Sequence, residues 1–180
     1  MLVRTFVSIP VKDTSSLRQV AADVGRAGDI RVPPMDQVHM TLKFIGDVDE
    51  RKLPRVTEAV RRACAGQGPF EMELSGLGCF PNRKRPSVVW VGAGPADVLT
   101  GLADRIGSEL AAANIRFDDK PFKSHITIGR CRDPVNVDGL LDRYGSVSFC
   151  TQTVDRVLVM RSELTPKGAR HSVVESVVLP

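Results

Sequence analysis

Alternation of apolar and polar positions marks much of this chain as β-strand, broken by four stretches with helical spacing. Residues 2–9 predict a strand stopped by Pro10, and residues 14–27 an amphipathic helix ending near Gly28. Pro33 and Pro34 break the chain ahead of an alternating strand over 38–45. A helix is predicted over 49–65 with Pro54 in its first turn, then strands over 70–79 and 87–91 around the basic loop Pro81 to Pro86. The second half runs in a similar order: a helix over 96–113 stopped at Asn114, a strand over 122–130, a short helix over 137–144, and strands over 147–153, 154–161 and 172–179. Strands grouped in this way, with helices between the groups, favour α+β with antiparallel sheets over a doubly wound parallel sheet.

Two of the predicted strands carry the same short pattern, His39-Met40-Thr41-Leu42 and His125-Ile126-Thr127-Ile128. The chain has three histidines and nine threonines, so two His-x-Thr pairs by chance have odds on the order of one in a hundred. Side chains in a strand alternate faces, which puts His39 with Thr41 on one side and Met40 with Leu42 on the other. His125 and Thr127 repeat this against Ile126 and Ile128. Each motif therefore buries an apolar back and offers an imidazole and a hydroxyl. Each is followed by a helix and then strands able to pair as a hairpin, which suggests two diverged copies of one unit, opened by the motif strands, within a single domain over 1–180. Two such lobes facing each other would line one cleft. One neutral imidazole can take a proton from water while the other, protonated, gives one to a leaving oxygen, and the hydroxyls can donate to phosphate oxygens. His171 has no threonine partner and reads as structural or peripheral. No pair of histidines has the local spacing of a preformed metal site.

Composition narrows the setting. A net charge of +4 and a pI near 9.1 permit an anionic partner such as nucleic acid, while one Trp, one Tyr and seven Phe argue against a broad base-stacking platform. No apolar run reaches the length of a membrane span. Cys64, Cys79, Cys131 and Cys150 have no metal-knuckle spacing and no secretory signal, so reduced thiols in the cytoplasm are expected.

The paired motifs resemble the signatures of the two-histidine (2H) phosphoesterase superfamily, and more narrowly the RNA 2′,3′-cyclic phosphodiesterases first described as 2′-5′ RNA ligases. The resemblance covers essentially the whole chain. Residues 4–9 resemble the family's opening strand, 38–46 and 124–130 its two signatures, and 162–168 its closing turn. It implies a bilobal α+β fold: two pseudo-twofold-related antiparallel sheets with outer helices and both motifs in a central cleft. It also implies metal-independent hydrolysis of RNA 2′,3′-cyclic phosphate ends to a 2′-phosphomonoester. In that scheme His39 is the proton donor, His125 the proton acceptor, and Thr41 and Thr127 are phosphate ligands. Arg130 and Phe44 match family positions near the substrate. Relatives often carry Tyr at the position of His171.

Strand alternation adds Lys43 on the face of His39 and Lys123 on the face of His125 as further substrate contacts. The implied partners are RNA with 2′,3′-cyclic phosphate ends, tRNA fragments among them, with no cofactor and no membrane. A cytoplasmic monomer is the expected state. Two other functions fit the same residues. One is 2′-5′ ligation of RNA ends, with a 5′-hydroxyl replacing water; the other is a non-catalytic RNA- or nucleotide-binding module helped by the basic loop Asn82 to Arg85.

Overall fold

The strand-forming runs assemble into two antiparallel sheets in the computed structural model, which describes all 180 residues. In chain order the elements are β1 (Leu2–Pro10), α1 (Arg18–Arg26), β2 (Ile30–Arg31), β3 (His39–Asp49), α2 (Leu53–Cys64), β4 (Phe70–Phe80), β5 (Val88–Gly94), α3 (Ala96–Ala112), β6 (His125–Cys131), α4 (Asp138–Tyr144), β7 (Ser148–Val154), β8 (Arg156–Thr165) and β9 (Gly168–Val178). One sheet has the order β3-β1-β8-β9 and the other β2-β6-β5-β4-β7. Apart from the two-residue β2, both follow one plan: a motif strand at the end, its partner, then two more strands. The expected α+β, bilobal, pseudo-twofold architecture is the one observed.

The equivalent pieces are not the ones that chain order suggests. β1–α1–β3 corresponds to β5–α3–β6, so in each repeated unit a helix leads into the motif strand, and α2 and α4 then follow β3 and β6 in the expected order. The hairpin β4–β5, expected beside the first motif, joins the sheet of the second. The inner edge of β3 is already taken by β1, and β5 pairs with β6 instead. Each lobe thus draws strands from both halves of the chain.

Helical periodicity decides which faces are covered. α3 buries Leu99, Leu102, Ala103, Ile106 and Leu110, and α2 buries Val56, Ala59, Val60, Ala63 and Cys64, both at the spacing of one helix face. These two helices pack on each other and over the β3-β1-β8-β9 sheet, while α1 and α4 cover the other sheet. Side chains of α1 and β2 lie so close to β6 that a Cβ on Gly129 would sit 2.7 Å from Ile30 Cγ2 and 2.8 Å from Val24 Cγ1. Gly129→Ala is therefore expected to destabilise the protein by ~1–3 kcal/mol through overpacking. The check is a lowered urea midpoint at unchanged m-value; a wild-type midpoint would mean that these side chains give way at no cost.

The two motif strands meet where the sheets adjoin, with β3 lying against β6. β2 pairs only with the Arg130 and Cys131 end of β6, which leaves the His125 end beside β3. Gln152 of β7 fastens the lobes at another point, donating to the Pro10 carbonyl at 2.9 Å and accepting from the Lys12 N–H at 3.1 Å. No helix is long and apolar enough to cross a membrane. All four cysteines are free thiols.

Candidate active site

Both motif strands bury their apolar residues as alternation requires. Met40, Leu42, Ile126 and Ile128 are buried, and His39, Thr41, His125 and Thr127 project from the opposite faces. These four side chains line one cavity of about 280 Å³, together with Arg31, Arg130 and His171. No three His, Cys, Asp or Glu side chains converge in a geometry that could hold a metal ion.

The two imidazoles are held alike. His39 Nδ1 lies 2.8 Å from the Gln37 carbonyl and His125 Nδ1 lies 2.7 Å from the Lys123 carbonyl, each two residues back along the chain. A carbonyl only accepts, so each Nδ1 carries the hydrogen, and in the neutral ring each Nε2 is the basic nitrogen. The Nε2 atoms differ in occupation: that of His39 is 3.1 Å from the Thr41 hydroxyl, which donates to it in the neutral state, whereas that of His125 has no protein partner. Aromatic rings brace both. Phe6 of β1 lies 5.0 Å from His39, and Phe80 of β4 lies edge-on at 5.0 Å from His125 with Trp90 of β5 behind it. Burial lowers the pKa of His39 below its ordinary value. The Gln37 carbonyl opposes that shift, and the neighbouring Arg130 and His125 add to it.

Arg130 lines the central cavity and an adjoining one of about 440 Å³ that also takes in Arg4, Phe6, Phe44 and Leu164. Phe44 thus reaches the cleft and Lys43 does not, the reverse of simple alternation from His39. The cause is a β-bulge: Ser8 pairs with Thr41 and Val7 with Lys43, so Leu42 is an extra residue and the strand changes phase after it. Lys43 shares the face of the fully buried Val7 and puts its ammonium 5.2 Å from the centre of the Phe117 ring, while Phe44 pairs with Phe6 on the cleft side beneath the Arg4 guanidinium. Lys123 is outside the cavity too. It precedes β6 and lies over Phe80 and Trp90, at 5.1 and 5.9 Å from their ring centres. Nor is the basic loop a free cationic tip throughout, because Arg83 is paired with Asp138 and Asp142 of α4.

Residues 10–166 match the sequence profile of the 2′-5′ RNA ligase superfamily. The chain belongs to that superfamily. Among its curated relatives, the RNA 2′,3′-cyclic phosphodiesterase of Archaeoglobus fulgidus is 32% identical over 169 residues, covering 92% of this chain and 94% of the relative. The enzyme of the same name from Aquifex aeolicus is 33% identical over 187 residues, covering 99% and 98%. A crystal structure from Thermus thermophilus superposes with a TM-score of 0.83 at 30% identity over 98% of this chain and 97% of that one. The fold is shared as well with Escherichia coli LigT complexed with 3′-AMP, at a TM-score of 0.77, 21% identity and 99% coverage of both chains.

In this member of the 2′-5′ RNA ligase superfamily His171 is not peripheral, as its lack of a threonine partner suggests, but lines both cavities. β9 pairs with β8 so that His171 faces Ser162, and Ser162 in turn faces Arg4 of β1. Its ring meets His39 edge-on at 5.2 Å and Phe6 at 4.9 Å. Its backbone N–H donates to Gln37 Oε1 at 2.7 Å, so Gln37 anchors β9 through its side chain and His39 through its carbonyl. Burial lowers the pKa of His171, with His39 adding to the effect. Sequence reasoning missed Arg31, Gln37, Phe6, Phe80 and Trp90. Only Phe6 left a usable signal: with Arg4 and Ser8 it occupies the alternate positions of β1 that do not carry Val3, Thr5, Val7 and Ile9.

Proposed function

We propose that this phosphodiesterase hydrolyses 2′,3′-cyclic phosphate ends of RNA to 2′-phosphomonoesters without a metal, using His39 as general acid and His125 as general base. The observation that carries this reading is the matched anchoring of two imidazoles by main-chain carbonyls at Nδ1 in one cavity, with His125 Nε2 open and His39 Nε2 bonded only to the hydroxyl of its own motif threonine. Water loses a proton to His125 Nε2 as its oxygen bonds to phosphorus. The bond from phosphorus to the ribose 3′-oxygen breaks, and that oxygen takes the proton from His39 Nε2. Thr41 and Thr127 donate to the non-bridging oxygens, where negative charge grows.

The difference between the two Nε2 atoms supports this direction. The open one, on His125, suits an incoming water, and the enclosed one, on His39, suits an oxygen that is part of the bound ribose. In the free protein, burial favours neutral His39. A bound phosphate anion favours its charged form, so the proton needed for the acid role arrives with the substrate. The deciding measurement uses an oligoribonucleotide with a 2′,3′-cyclic phosphate end, with products resolved as 2′- or 3′-phosphate. Expected is the 2′-phosphate at a rate unchanged by EDTA. A 3′-phosphate would reverse the leaving oxygen, and loss of turnover in EDTA would overturn the metal-free mechanism. Supplying RNA halves bearing 5′-hydroxyls in the same assay tests the ligase reading through the appearance of a 2′-5′ linkage.

A further inference from the structure

Three arginines, Arg4, Arg31 and Arg130, line the two joined cavities, and no Asp or Glu lines either one. None of the three makes an ion pair, although ion pairs elsewhere engage ten other arginines and two lysines. A cyclic phosphate carries one negative charge, and the two His-Thr pairs already face it. The cleft therefore holds more positive charge than its proposed reacting group requires.

Arg31 and Arg130 are direct cross-strand partners on β2 and β6, which starts both side chains from one face of the sheet, and both line the cavity. Arg31 is held in place from the opposite lobe. Its Nη2 donates to the Lys167 carbonyl at 2.7 Å in the turn between β8 and β9. The guanidinium also lies against Gly168, where a Cβ would collide with Nη2 and where φ is +113°, so a side chain is excluded twice over. That bond uses one of five N–H donors. The rest of the fork is free for a planar, bidentate contact with an anion.

We propose that Arg31 and Arg130 form a second phosphate site, which takes the internucleotide phosphate preceding the cyclic end. The enzyme is then built for the end of an RNA strand rather than for a free cyclic mononucleotide. This rests on the reading of the His-Thr site as a cyclic-phosphate hydrolase.

The test compares kcat/KM of the full chain on three substrates. They are adenosine 2′,3′-cyclic phosphate, the ApA dinucleotide with a 2′,3′-cyclic phosphate end, and the same dinucleotide with a neutral methylphosphonate linkage. The charged dinucleotide is expected to exceed the neutral one by about tenfold to a hundredfold, the worth of a charge-assisted contact. In Arg31→Gln that ratio should fall to about one, its value for a lost contact. Equal rates on the charged and neutral dinucleotides in the wild-type protein overturn the site, and need no variant that must fold. So does Arg31→Gln that keeps the wild-type ratio, or that lowers all three substrates in proportion, as a mere clasp between lobes would. Those results leave hydrolysis standing. Absence of turnover on all three overturns the hydrolase reading and this inference with it.

Discussion

His39→Ala and His125→Ala are each expected to lower kcat on an RNA 2′,3′-cyclic phosphate end by about 10²- to 10⁴-fold, the usual worth of one positioned proton transfer. Both rings project from the cleft side of strands whose packing is carried by Met40, Leu42, Ile126 and Ile128, so the loss should come without unfolding. Near-normal turnover in either variant would end the acid–base assignment. The pH dependence of the residual activity separates the two roles. In His125→Ala only His39 remains to move a proton, and burial, aided by Arg130, keeps its pKa below the ordinary 6.5. An acid must be protonated to work, so kcat/KM of this variant should fall as pH rises through a midpoint below 6.5. A rate that climbs with pH through the same midpoint would make His39 the base. Adding Arg130→Gln removes a positive neighbour and should move the midpoint upward.

Thr41→Val and Thr127→Val should each cost about 10²- to 10³-fold in kcat, comparable with removing one preorganised donor from a developing oxyanion. Valine keeps the branched shape and suits a strand, so the substitution deletes a hydroxyl and little else. The effect at Thr41 should be accompanied by a change in His39. Its hydroxyl donates to His39 Nε2 in the free protein and must turn to the phosphate when substrate arrives. Thr127 has no such bond to His125, and Thr127→Val should leave the His39 titration in place. Serine at either position is expected to restore most of the rate. If the valine variants turn over normally, the threonines serve packing and the cleft must hold the phosphate by other groups.

How far the chain could be read in advance follows from how local each feature is. The faces of the two motifs were legible because a strand has a period of two, whatever surrounds it. His39 with Thr41, and His125 with Thr127, fall together on that ground alone. The same rule failed four residues after His39. The bulge at Leu42 is a property of β3 against β1, set by which residues pair, and it exchanged the places of Lys43 and Phe44. Arg31 lies in a two-residue strand, too short to show any periodicity, and its neighbour Arg130 is ninety-nine positions away along the chain. His171 looked isolated because its partners, His39 and Phe6, come from strands at the other end of the sequence.

The sequence by itself determined the α+β class, the outward His-Thr pairs and the apolar backs that carry them, since each depends on spacing within one strand or helix. Tertiary structure decided that the strands after the first motif join the sheet of the second, and that His171 and Arg31 stand in the cleft. It also decided that the two histidines differ in the company of their Nε2 atoms. These depend on pairings between β1 and β3, β2 and β6, and β8 and β9, and no periodicity within a single segment records which distant edge a strand will meet.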